Sequence, residues 1–242
     1  MQKKLLNYQI YREPLSQIDL KNNKIINTIN PHSYCVARVE NKFDRALKSS
    51  DILLPDGVGI VWAEKFLNKN KILRITGFDI FKFLMEKLNA KKGTCFFLGS
   101  DQRTLNLIKE KALLEFPNVS VNFYSPPYKI EFSLEDSIKM CNAVNAVQPD
   151  VLFVGMTAPK QEKWVYSFKN KLETKNICCI GAVFDFYAGN IKRSSDFSIK
   201  YGLEWLPRLV REPKRLFYRN FVSTPKFILE VLSFKLFKKG IL

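Results

Sequence analysis

The feature that most constrains the fold is an alternation of short apolar runs with longer segments of helical period, beginning near residue 24. Residues 24–30 (KIINTIN) read as a β run ended by Pro31. Residues 33–47 read as one helix, with Cys35, Val36, Val39, Phe43, Ala46 and Leu47 near one face. Residues 51–54 (DILL) form a short apolar strand before a Pro-Asp-Gly turn, and 58–67 are helical. Asp79 is placed to N-cap a helix over 80–88. Residues 94–98 (TCFFL) are a buried strand closed by Gly99, and Asp101 caps a helix over 102–116. A strand at 119–124, a helix at 134–147 and a strand at 151–154 follow. Pro159 suits the first turn of a helix running to residue 170, and 177–183 is the last clear strand. Such alternation predicts an α/β fold: a Rossmann-like parallel sheet with helices on both faces. In sheets of this kind, ligands sit beyond the C-terminal strand ends, at a switch point.

The loops after strands therefore carry the search for chemistry. Asp56 follows an apolar strand and precedes Gly57 and Gly59, whose backbone freedom brings main-chain N–H groups close to a ligand. A helix starting there aims its positive end at an anion, and a carboxylate beside it can take a proton from a hydroxyl. Taken alone, the loop reads rather as a turn aspartate, the commoner fate of Asp-Gly. Thr28 and Asn30 alternate with Ile29, so both point to one side, either toward a ligand or into capping chemistry before Pro31. Residues 155–162 (GMTAPKQE) join a strand to a helix and place Lys160 and Gln161 in its first turn, where a diphosphate would meet N–H groups and a cation. Gly99 closes a third strand. Arg74, ahead of Thr76-Gly77, and Asp185, between Phe184 and Phe186, suit either a ligand or a structural ion pair.

Charge separates the last fifth of the chain from the rest. The net charge is +16. Residues 190–242 hold twelve Lys and Arg against four Asp and Glu, half of that excess. After Gly189 no further strand is evident; 203–220 and 225–239 read as basic amphipathic helices divided by Pro207, Pro213 and Pro225. Arg208, Arg211, Arg215 and Arg219 recur at three- and four-residue steps among aromatic residues, a pattern for gripping anionic lipid or a lipid diphosphate, or a solvated face over a packed one. The expected organisation is a catalytic core over 1–195 and a helical appendage over 196–242. No run reaches about 18 uninterrupted apolar residues, so the chain is expected to lie on a membrane and not span it. No leader is evident, and five cysteines without a C-x-x-C pair suit a reducing cytoplasm. His32 is the single histidine, and there is no D-x-D, no G-x-x-x-x-G-K-[ST] and no G-x-G-x-x-G. A histidine metal site is thereby excluded, and neither a P-loop NTPase nor a dinucleotide enzyme is supported. The basic charge also admits a non-enzymatic nucleic-acid-binding α/β protein, but stacking aromatics within basic, glycine-bearing RNA motifs are missing.

Together, LLPDGVGIVWAEKFL, RITGFD, LFVGMTAPKQEKW, GAVFDFYAGNIKRS and GLEWLPRLVREPKRL resemble, in order, the signature blocks of the WecG/TagA/CpsF glycosyltransferases over about residues 24–220. The resemblance implies an inverting hexosyltransferase that takes a UDP-sugar and extends a polyprenyl-diphosphate-linked saccharide in cell-envelope or exopolysaccharide synthesis. The sugar (N-acetylmannosamine-type, a hexose or a uronic acid) is left open. It implies Asp56 as general base, and Thr28, Asn30, Gly57, Arg74, Gly99, Lys160, Gln161 and Asp185 around the substrates. The C-terminal arginines would engage the lipid diphosphate and an anionic membrane on its cytoplasmic face. No cofactor, required metal or nucleic-acid partner is implied, and self-association into a homo-oligomer is compatible with the apolar surface.

Overall fold

The computed structural model describes residues 4–21, 23–191 and 216–237. Its centre is a six-stranded sheet, all parallel, in the order β2-β1-β6-β5-β3-β4. The strands are β1 (Lys24–Ile29), β2 (Ile52–Pro55), β3 (Thr94–Leu98), β4 (Ser120–Tyr124), β5 (Val151–Val154) and β6 (Asn176–Cys179). The helices are α1 (Pro31–Val39), α2 (Asn41–Lys48), α3 (Val58–Asn68), α4 (Gly77–Ala90), α5 (Gln102–Glu115), α6 (Leu134–Asn145), α7 (Lys160–Phe168), α8 (Val183–Ala188) and α9 (Thr224–Phe237). The expected Rossmann-like architecture is what the chain adopts.

Strand alternation assigns each face. Cys95 and Phe97 of β3, Phe153 of β5 and Cys178 of β6 join Phe81 of α4, Ile108 of α5 and Phe184 of α8 in one cluster. Phe96, Leu98, Leu152 and Cys179 point the other way, to Met140 of α6 and Trp164 of α7. On that same side Ile29 and Leu53 pack beneath α1, α2, α3 and α9. Burial on both faces is why these strands are continuous apolar runs and not alternating ones. Four of the five cysteines are buried, and all five are free.

Several boundaries differ from expectation for identifiable reasons. The single helix expected over 33–47 is two, because Glu40 adopts an extended backbone between α1 and α2. Its carboxylate is held by Lys163 of α7, and the break turns Phe43, Ala46 and Leu47 onto the core. Helix α4 starts at Gly77, three residues earlier than expected: Thr76 is its N-cap, and Asp79 answers from the third helical position in a capping box. The strand expected over 177–183 ends at Cys179, and Val183 already begins α8. Pro225 was expected to divide the C-terminal helices. Instead Tyr218–Ser223 widens into a π-helical turn that runs straight into α9. A proline lacks the N–H and crowds the carbonyl a turn back, and a wider turn accommodates both. Thr224 donates its hydroxyl to the Arg219 carbonyl across that turn.

The described part of the C-terminal region is packed on the core. Phe227 and Val231 of α9 are fully buried with Tyr34, Ala37, Ile60 and Ala63. The Tyr34 and Phe227 rings meet edge to face at 5.2 Å. Tyr34 donates its hydroxyl to Glu230 at 3.3 Å, and His32 Nδ1 lies 2.9 Å from Ser223 Oγ.

Candidate active site

The strand order reverses direction between β1 and β6, and the helices leaving those strands go to opposite faces: α1 to one, α8 to the other. In α/β sheets the divergence of such helices makes the ligand crevice at the C-terminal edge, the switch point. Backbone hydrogen bonds continue past the last strand residues and set the loops in register. Asp56 N–H donates to Ile29 O at 2.9 Å, Ile180 N–H to Val154 O at 3.0 Å, Gly155 N–H to Leu98 O at 2.9 Å and Gly99 N–H to Tyr124 O at 3.2 Å.

Asp56 thus stands at the tip of β2, half-buried, with its backbone anchored to the end of β1. Gly57 follows at φ 103° as the N-cap residue of α3, a conformation that only glycine adopts without strain. The N-cap residue of α3 is a glycine and supplies no side-chain cap; of the first-turn N–H groups, that of Ile60 donates to Gly57 O at 3.2 Å. A Cβ on Gly59 would lie 2.7 Å from Pro31 and 3.8 Å from the Phe227 ring. The Asp56 loop, the start of α1 and α9 therefore meet at one point.

Arg74 is brought beside this loop by its neighbour: Ile75 N–H donates to Pro55 O at 3.0 Å. The start of α4 in turn touches the loop after β6, since a Cβ on Gly77 would lie 3.2 Å from Val183 and 3.5 Å from Ile180 O. Asp185 is half-buried in the first turn of α8. Thr28 is half-buried in β1, opposite Leu54.

Other candidates serve the walls. Asn30 N-caps α1, with its Oδ1 accepting from Ser33 N–H at 3.0 Å and Ser33 Oγ returning the contact to Asn30 N–H. Gly99, at φ 117°, permits a close approach, as a Cβ there would lie 2.6 Å from Gly155 O. Gln161 is buried at 4% exposure. Its Oε1 accepts from Met156 N–H at 3.2 Å and from Gly181 N–H at 3.1 Å, tying the loop after β5 to the loop after β6. Lys160 reaches sideways: its Nζ donates to the Lys129 carbonyl and lies 3.6 Å from the centre of the Phe132 ring. Burial lowers its pKa.

Of the four basic residues of the C-terminal stripe, Arg219 lies in the π-helical turn next to Tyr218, whose ring centre is 6.2 Å from that of His32. Arg208, Arg211 and Arg215 lie outside the described residues. Two contributors were given no role of their own from the sequence. One is Ser223, which pairs with His32 at the start of α1. The other is Glu162, fully enclosed behind Gln161. The signal for Glu162 was its position in the first turn of a helix whose next inward residues, Trp164 and Val165, are apolar.

An acid, a basic side chain and the N-terminus of α3 thus lie beside one another at the switch point of a parallel α/β sheet, where such sheets bind ligands. The chain belongs to the Glycosyl transferase WecG/TagA/CpsF family, which it matches over residues 6–240, and it is a glycosyltransferase. Among curated relatives, it is 31% identical over 216 residues to the N-acetylglucosaminyldiphosphoundecaprenol N-acetyl-beta-D-mannosaminyltransferase of Bacillus spizizenii, covering 89% of this chain and 81% of the relative. The Bacillus subtilis enzyme of that name is likewise 31% identical, over 89% of this chain and 82% of its own. The Staphylococcus aureus (strain MW2) enzyme is 25% identical over 88% and 82%.

Proposed function

We propose that this chain transfers a sugar from a UDP-sugar to a polyprenyl-diphosphate-linked saccharide, with inversion, in cell-envelope polysaccharide synthesis. The observation that carries the reading is the place of Asp56: half-buried at the tip of β2, beside the start of α1, the start of α3 and the Arg74 loop. In this mechanism the Asp56 carboxylate takes the proton of an acceptor hydroxyl. That oxygen bonds to the anomeric carbon from the face opposite the nucleotide. The bond from that carbon to the diphosphate oxygen breaks, and UDP leaves with the electron pair. Arg74, the N–H groups of α3 and the C-terminal arginines offset the charge that grows on the leaving group.

The relatives' name makes N-acetylmannosamine the first sugar to test, with GlcNAc-diphosphoundecaprenol as acceptor. The expected result of a screen of UDP-sugars is consumption of one donor that depends on the lipid-diphosphate acceptor. Stabilisation by RNA and not by UDP in a melting experiment would favour the nucleic-acid-binding alternative.

The same proposal places the protein on the cytoplasmic face of the plasma membrane. No described helix is long and apolar enough to cross a membrane. On α9, Leu229, Leu232, Leu236 and Phe237 face outward, opposite the buried Phe227 and Val231, and Phe217, Tyr218 and Phe221 are exposed just before it. Apolar groups at this spacing, flanked by Lys226 and Lys235, suit a helix lying in the headgroup layer. Deleting the C-terminal region would uncover Tyr34 and Ile60, so substitution is the cleaner test. Serine at 229, 236 and 237 is expected to release the protein from anionic liposomes while leaving its melting curve intact. Undiminished co-sedimentation would refute the surface.

A further inference from the structure

We propose that Glu162 is a positioning residue of the transfer site: through Oε1 it orients the Gln161 amide that ties the loop after β5 to the loop after β6. The proposal rests on this crevice being the transfer site. A glutamine amide can sit either way round, but both N–H groups it must meet here, those of Met156 and Gly181, are donors. Only the carbonyl oxygen satisfies them, and it accepts from both. The NH2 group is thereby turned into the protein, where it needs an acceptor. Glu162 Oε1 is that acceptor, 2.8 Å away. Without it, a buried amide NH2 would be left unpaired and the favoured orientation of Gln161 would be lost.

The tie matters because it joins two loops that leave adjacent strands on opposite faces of the sheet. The loop after β5 leads into α7, packed on one face, and the loop after β6, with Gly181 at φ 50°, leads into α8, packed on the other. Gly181 is in van der Waals contact with Gln161: a Cβ there would lie 3.6 Å from the amide. Two further observations set Glu162 apart from an ordinary packing residue. It is 3% exposed, and its Oε2 has no hydrogen-bond partner. Burial also pushes its carboxyl up to about 7. Around it stand Gln161 and Lys163 on α7 and Cys179 on β6; the Lys163 ammonium is engaged by Glu40 of α2. A lone buried acid is costly for stability and is retained most readily where its hydrogen bonding serves the site.

The test is UDP-sugar kinetics on the full chain. Glu162→Leu is expected to raise the KM for the sugar donor about tenfold, the loss typical when a residue orienting a ligand-binding group is removed, with kcat changed less than about threefold. Glu162→Gln keeps an oxygen that accepts from Gln161, so its KM is expected to stay within about threefold of wild type. The Gln variant is also expected to lose any change in KM between about pH 6 and 8, because it cannot ionise there. A folded Glu162→Leu with wild-type KM overturns the proposal, as does a Gln variant as impaired as the Leu one. Should the Leu variant not fold, a Gln variant with the wild-type pH profile overturns it. If the wild-type chain moves no sugar, the functional reading fails. The tie is then read by hydrogen exchange: faster exchange at the Met156 and Gly181 amides in Glu162→Leu upholds the orienting contact, and unchanged protection refutes it.

Discussion

Asp56→Asn is expected to lower kcat for sugar transfer about a thousandfold, within the range a positioned general base contributes. Asparagine has nearly the shape of aspartate, and the backbone bond from residue 56 to Ile29 O does not involve the side chain. The extended residue at the end of β2, the left-handed Gly57 and the start of α3 should all persist. The variant should therefore melt as wild type does, and its KM for the sugar donor should move only a few fold. A loss confined to kcat is the signature of an interaction made in the transition state. Near-wild-type transfer by a natively folded Asp56→Asn protein would remove Asp56 as the base. The reading would then shift to Asp185, the acid that the family resemblance places around the substrates, half-buried in the first turn of α8.

Most of the architecture was legible because its signals are local. Strands buried on both faces read as apolar runs, and residues 94–98 and 151–154 were bounded to the residue. What escaped depends on contacts distant in sequence. The break at Glu40 is stabilised by Lys163, 123 residues away, and no feature of residues 33–47 announces it. The N-terminal segment showed no period at all. Yet Leu5, Leu6, Tyr8 and Ile10 are buried under α1, α2 and α3, and Tyr11 N–H donates to Leu53 O. In the site, the sequence identified the loops better than the tasks within them. Asn30 suited either a ligand or a cap before Pro31, and Gln161 suited a diphosphate. Their carbonyl oxygens are held by backbone N–H groups, one as a helix cap and the other as a cross-loop tie. Polar side chains at strand ends serve a ligand and shape the loop that holds it with the same chemistry, and composition alone does not separate the two. The lone histidine was used only to exclude a metal site. Its structural place, against Ser223, links α1 to the C-terminal helix.

The second large effect concerns stability, and it lies at the end of α3 remote from Asp56. Glu64 falls on the buried face of α3 with Ile60 and Ala63, and it has no exposure to solvent. Its partner is Arg12 from the N-terminal segment, whose Nε lies 2.6 Å from Glu64 Oε1. Asn70 donates to that same oxygen and Asn68 to the other, each at 2.9 Å. Removing one member of a buried pair strands the other charge, which costs about 3–5 kcal/mol. A domain of this kind holds only about 5–15 kcal/mol in total. Arg12→Ala is therefore expected to lower the urea unfolding midpoint sharply, and any fraction still folded at low temperature should keep its transfer rate. Replacing both partners with apolar residues of similar volume, Arg12→Met with Glu64→Leu, should recover most of the loss, because no charge remains buried. A single variant as stable as wild type would mean that Asn68 and Asn70 suffice to hold Glu64. A double variant no better than the single would place the stabilisation in the packing of the arginine stem and not in the ion pair.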